Sequence, residues 1–329
     1  MRRPLRARAL AASLALPLVG AAILAGVATP ASAAPDGFTV KTSAVSSPRG
    51  MASDASDGVY WVADSTSQEI YAVSPTGAAK GSVPLAFTPT DIEALQFFNG
   101  RLYIGDIGDP DASRDYITVY RLNALNFGHT GGYHAWDFAY PDGKHDAAAM
   151  MVSPRGNIYI VTRGDQAAVY RAPANPSTSG VNTLVRVASA PAWVTDATFV
   201  DSTKVVLRTF TSLYVLDPYS WSTMASAELP RQPDGQAITT ALGTGGGLIA
   251  LGGTSADDVP VPTTKASVSP APSVAPQASG SAATGSASAS PAAQNGGGST
   301  ASSRTGTLVA LIAAAVAALL AGGVVAVKR

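Results

Sequence analysis

The stretch DIEALQFFNGRLYIGDIGDPDASRDYITVYRL, residues 91–122, sets six carboxylates (Asp91, Glu93, Asp106, Asp109, Asp111 and Asp115) among apolar runs. Grouped carboxylates can ligate a hard cation such as calcium, which takes six to eight oxygens, or work as acid and base across a cleft. Asp109, Asp111, Ser113 and Asp115 place oxygen donors at alternate positions, as in the first half of an EF-hand loop. Arg114, however, stands where that loop has its glycine, and Tyr120 where it has its bidentate glutamate. Asp also stabilises turns through hydrogen bonds to its own backbone, so Asp111 and Asp115 read as loop residues. Nucleophilic catalysis has little to work with: there is no cysteine and no G-x-S-x-G elbow. The three histidines, His129, His134 and His145, fit no zinc spacing and read as surface residues.

The elements that must position these acids repeat. Five strand-like segments, VYWVAD (59–64), RLYIGD (101–106), NIYIVT (157–162), KVVLRT (204–209) and GLIALG (247–252), start about 42 to 56 residues apart, close to the period of propeller blades. Partner strands follow the first four, at 69–77, 116–122, 167–173 and 212–218. Within the second unit the alternation predicts half-buried strands with Leu102, Ile104, Ile117 and Val119 on one face. The fifth unit shows no partner strand, and GFTVKTSAV (37–45) is expected to supply it and close the ring. No sustained helical period occurs from Pro35 to Asp258, and the expected fold is an all-β propeller of five or six blades over 34–258. An all-β sandwich or single barrel is the alternative.

A short motif precedes each first strand: RGMA (49–52), DIEA (91–94), DAAA (146–149), DATF (196–199) and DGQA (234–237). Asp91, Asp146, Asp196 and Asp234 are thus expected at equivalent places round one mouth of the central channel, with Arg49 in the fifth. Together with Glu93 these four Asp are the candidate metal ligands, and calcium is the candidate cation. Asp106, Asp109, Arg163, Arg208 and Gln236 are the candidate ligand-binding residues. The two arginines either clamp an anion or pair with the ring of Asp. Trp61, Trp136, Trp193 and Trp221 read as blade core, with loop-borne Trp136 also able to stack on a sugar.

The runs containing D-I-E-A, G-D-I-G-D, Y-P-D-G-K-H-D-A-A-A and L-P-R-Q-P-D-G-Q-A-I resemble a group of secreted actinobacterial β-propeller proteins of unassigned function. More distantly they resemble esterase-like, phytase-like and lactonase propellers, some of which hold calcium in the channel. The resemblance covers most of Pro48 to Gly252. It implies channel acids at Glu93, Ala148 and Gln236, of which only Glu93 is a carboxylate here. Loss of two charges counts against inherited metal chemistry.

Outside this body, residues 1–33 read as a signal peptide. Arg2, Arg3, Arg6 and Arg8 precede an apolar run that closes on Ala31-Ser32-Ala33. Residues 259–304, rich in Pro, Ala, Ser and Gly, read as a disordered linker. Residues 305–329 carry an apolar run ending in Lys328 and Arg329, as in a membrane helix with a short cytoplasmic tail. The expected location is the cell membrane, single-pass, with the propeller extracellular. All 22 acidic residues lie between Asp36 and Asp258 against 14 basic ones there, a net charge near −8, which makes nucleic acid an unsuitable partner. The sequence favours a non-catalytic module binding an extracellular protein, small molecule or carbohydrate. The alternative is a calcium-assisted hydrolase of esterase, lactonase or phytase type.

Overall fold

The computed structural model describes residues 37–230, 232–243, 246–266 and 268. The expected signal peptide, membrane helix and most of the linker lie outside them. Over the described residues the chain is a five-bladed β-propeller without helices. The first blade is β2 (Pro48–Asp54), β3 (Val59–Asp64), β4 (Glu69–Val73) and β5 (Ala79–Pro84). The second is β6 (Ile92–Phe98), β7 (Arg101–Asp106), β8 (Ile117–Leu122) and β9 (Tyr133–Ala139). The third comprises β10 (Ala147–Val152), β11 (Ile158–Thr162), β12 (Ala168–Arg171) and β14 (Val185–Ser189), while β13 (Asn182–Thr183) crosses to pair with β9 of the second. The fourth is β15 (Val194–Phe199), β16 (Val205–Thr209), β17 (Ser212–Leu216) and β18 (Thr223–Glu228). The fifth is β19 (Gly235–Thr240), β20 (Leu248–Gly252) and β21 (Ser255–Val259), completed by β1 (Phe38–Thr39) from the start of the body.

The innermost strands β2, β6, β10, β15 and β19 each pack against the next, and β19 meets β2 to close the ring. Each blade therefore has two buried faces. Five hydrophobic clusters result, one in each gap between neighbouring blades. Successive residues of one strand feed different gaps: Met150 packs towards the second blade and Met151 towards the fourth. This explains why the inner strand β10, AAAMMV, reads as a continuous apolar run. It also corrects the expected half-buried alternation, since Leu102 and Ile104 face the first blade while Ile117 and Val119 face the third.

Two further expectations change. The segments taken as first strands are the second strands of their blades; the short motifs before them lie on or lead directly into the innermost strands. The fifth blade does have a partner strand, β21, whose polar sequence SADDV hid it from an apolar pattern. Val259, expected to open the linker, ends that strand. Lys265 forms a bridge to Ser226, and Ala266 exchanges hydrogen bonds with Ser226, so the body extends past residue 258.

The closing strand does come from the start of the body, but Phe38–Thr39 is the outermost strand of the fifth blade and not its partner strand, with Phe38 opposite Ala256 and Thr39 opposite Ser255. It is locked on its other side by the first blade, where Lys41 N–H donates to the Gly77 carbonyl at 2.8 Å. Gly77 has φ 78°, and a Cβ there would overlap the Thr39 carbonyl. Gly77→Ala is expected to loosen the closure and cost about 2 kcal/mol, read as a lower urea midpoint. An unchanged midpoint would show that the closing strand contributes little.

Candidate functional site

The innermost strands share a local irregularity that decides what faces the channel. In each, one residue is skipped in the pairing with the second strand: Arg49, Glu93, Ala148, Thr195 and Gln236. A bulge of this kind leaves a residue out of the ladder and re-aims its side chain. These five positions are equivalent by register, and they include the three to which the resemblance assigned channel acids. The expected ring of Asp is correspondingly out of step. Asp91, Asp146 and Asp234 lie two residues before the bulge, Arg49 lies on it, and Asp196 lies one residue after it.

Glu93 is the one carboxylate among the five bulge residues, and its side chain is 5% exposed. Arg163, just past β11, donates from Nη2 to Glu93 Oε2 at 2.5 Å, while Arg49 Nη1 stands 4.0 Å from Oε1. Arg163 Nε also faces Asp146 Oδ2 at 3.5 Å. Asp91 is half-buried and feels both arginines and Asp146. The mouth thus combines three carboxylates, Asp91, Glu93 and Asp146, with two guanidiniums. Burial pushes the Glu93 carboxyl up to about 7, against the downward pull of Arg163; burial also raises Asp91. Beside them, Thr195 carries a buried hydroxyl with no hydrogen-bond partner, and Gln236 is 8% exposed. Thr195 escaped the sequence reading because its motif was aligned on the neighbouring Asp196. Aligning the apolar residues after each motif would have found it.

Asp106 and Asp109 are buried and hydrogen-bonded to the chain around them. Asp106 accepts the N–H groups of Thr90 and Asp91 and a hydrogen bond from Arg114. Asp64 does the same for the first blade, accepting from Ser46 and Ser47. Asp109 accepts from Ser113 and Arg114, and its own N–H donates to Asp146. Their oxygens are thereby used in pinning the chain as it enters each inner strand and in folding the loop after β7.

Asp196 and Arg208 are fully buried between the fourth and fifth blades, with Asp196 close enough to Glu93 for that carboxylate to help raise its own. They oppose each other across β15 and β16. Asp196 accepts from the N–H groups of Ala197 and Ile238. Arg208 donates to the carbonyls of Ala237 and Leu251 and to Gln232 Oε1. Burial raises the Asp196 carboxyl well above its usual range and lowers Arg208 to about 10. The equivalents of Asp196 are Gly50, Ala94, Ala149 and Ala237, small residues that let neighbouring inner strands approach. In the fourth blade this position instead carries a polar staple. Asp234 is exposed, in a turn at φ 44°.

Of the five carboxylates expected to ligate calcium, Asp91, Glu93 and Asp146 meet at the mouth, whereas Asp196 is buried between two blades and Asp234 is exposed in a turn. Among the described residues no group of three or more His, Asp or Glu is placed to hold a metal ion. Glu93 and Asp146 already face Arg163. Calcium takes six to eight oxygens, and two of the candidate carboxylates, Glu93 and Asp146, are shared with an arginine.

No protein-family model matches the chain, and no curated protein is similar to it in sequence. Among solved structures it is similar to a gluconolactonase from Xanthomonas campestris, at 11% identity and a TM-score of 0.42 over 66% of this chain and 87% of that one. The Malassezia sympodialis allergen Mala s 1 gives 11% identity and a TM-score of 0.47 over 69% and 96%. Virginiamycin B lyase from Staphylococcus aureus gives 13% and 0.37 over 68% and 87%. No activity follows from likenesses of this size.

Proposed function

We propose that the protein is a membrane-tethered extracellular propeller that binds a ligand or partner through the charged channel mouth and does no chemistry there. One observation carries this reading: Glu93, the one carboxylate of the bulge ring, is engaged by Arg163 at 2.5 Å and faced by Arg49. A carboxylate held this way is neither a free metal ligand nor a base aimed at water. What the mouth offers is recognition. Arg49 and Arg163 remain partly exposed beside Asp91 and Asp146, a set of paired charges suited to the polar groups of a small molecule, a carbohydrate or a protein surface. Tethering by residues 305–329 and export by residues 1–33 are part of the proposal, supported by the composition of those segments.

A second reading is favoured by the Glu93 carboxyl lying near 7, the range suited to general acid–base work at neutral pH. One experiment separates the two. The full-length chain is incubated with a panel of small esters, lactones and phosphate esters, with calcium and with chelator, and its melting is followed under both conditions. No turnover above background and no calcium-dependent melting shift is the expected result. Turnover abolished by Glu93→Gln would overturn the binding reading, and a chelator-sensitive melt would reinstate a metal.

A further inference from the structure

The face opposite the charged mouth carries a second site. There the turn between β10 and β11 and the turn between β17 and β18 bound a cleft of about 380 Å³ at the junction of the third and fourth blades, large enough for a small ligand. Its wall is aromatic. Tyr159 packs 5.3 Å from Trp221 and 5.9 Å from Phe199, centroid to centroid, and all three are only partly buried. Tyr219, at the rim, is 67% exposed.

Two guanidiniums flank this wall. Arg171 lies directly across the ladder from Tyr159, and Arg155 projects from the β10–β11 turn. Among the described residues neither side chain has an ion-pair or hydrogen-bond partner, in contrast to Arg49, Arg114, Arg163 and Arg208. No carboxylate lines the cleft, although the body is acidic overall. Asn157 and Ser202 also line it.

The local backbone is held in an uncommon conformation to present this surface. Trp221 has φ 57°, a left-handed conformation that bulky residues rarely adopt. It is braced by its N–H donating to the Asp217 carbonyl at 2.7 Å, while Asp217 Oδ1 accepts from Tyr219 N–H at 2.7 Å. Such strain persists only where the surroundings enforce it.

We propose that this cleft binds an anionic saccharide, pyranose units bearing carboxylate or phosphate groups. The apolar face of a sugar ring lies on Tyr159 and Trp221, aromatic surfaces with little rotamer freedom to lose. The acid group pairs with Arg155 and Arg171, whose planar forks match carboxylate and phosphate oxygens. Ring hydroxyls meet Asn157 and Ser202. The site is independent of the charged mouth and of the function proposed for it.

The test is isothermal titration of the full-length chain with tetragalacturonate and with glucose 1-phosphate, against neutral maltotetraose and inorganic phosphate. Binding of at least one acidic sugar is expected, about tenfold or more tighter than maltotetraose, and weakening as salt is raised. Arg155→Gln and Arg171→Gln should each weaken it about tenfold without moving the melting point, since both side chains are exposed. Lys80→Gln, on the first blade, should leave it unchanged. The two acidic probes tell carboxylate from phosphate. No binding of either, equal binding of maltotetraose, equal binding of inorganic phosphate, or indifference to both arginine variants would each overturn the proposal.

Discussion

Arg208→Met is expected to destabilise the protein by about 3–5 kcal/mol, a large share of the roughly 5–15 kcal/mol that holds a domain together. Arg208 is fully buried and donates to the carbonyls of Ala237 and Leu251 and to Gln232, all in or leading to the fifth blade. Methionine fills much of the volume but leaves two backbone carbonyls without these donors and removes the positive charge facing Asp196. Urea unfolding at pH 7 reads the effect as a lower midpoint. Adding Asp196→Asn should cost less than the sum of the two single changes, because the buried carboxyl is what the arginine compensates. A loss under about 1 kcal/mol would show that the fourth and fifth blades are joined by their hydrophobic cluster alone.

The second large effect is a pH dependence centred on Glu93. Burial raises its carboxyl from an ordinary 4.5 to about 7. Between those values the folded protein holds a proton that the unfolded chain has released. The native state therefore binds more protons, and stability falls as pH rises through this window, levelling off above about 7. For this one group the fall is about 3 kcal/mol. Glu93→Gln mimics the protonated form, so variant and wild type should be equally stable near pH 4.5, with the variant ahead by about 3 kcal/mol at pH 8. Asp91 and Asp196 shift in the same direction and interact with Glu93, so the wild-type slope is shared, and the difference between the two proteins reads Glu93 together with its coupling to them. Unfolding midpoints between pH 4.5 and 8 give the answer. Parallel curves would mean that Glu93 is charged throughout and that Arg163 outweighs its burial. The same slope bears on binding, because the charge of the mouth changes across neutral pH.

Much of the architecture was legible in the residues themselves. Recurring apolar segments with glycine and aspartate turns are local features, and their period of about 42 to 56 residues is enough to imply blades. The closing role of the segment at 37–45 was legible too, although its strand, Phe38–Thr39, adds to the outer edge of the fifth blade and does not stand in for the partner strand. The acidic balance of the body and the compositions of the two chain ends are likewise properties of the sequence alone. Strand β21 was not legible, because SADDV owes its place to pairing with β20 and to the burial of only Ala256 and Val259.

The site depended on tertiary structure for two physical reasons. In a strand, a one-residue shift sends a side chain to the opposite face, so the five bulges alone decide that Arg49, Glu93, Ala148, Thr195 and Gln236 are equivalent. A motif aligned on its Asp residues placed Asp196 in the channel; pairing places it between two blades. The second reason is distance along the chain. Glu93 meets an arginine 70 residues away, and Asp196 meets an amide 42 residues away, encounters that no local pattern encodes. Spacing could present the carboxylates as candidate ligands, but only the folded ring showed that arginines and backbone amides already engage those of them that are buried.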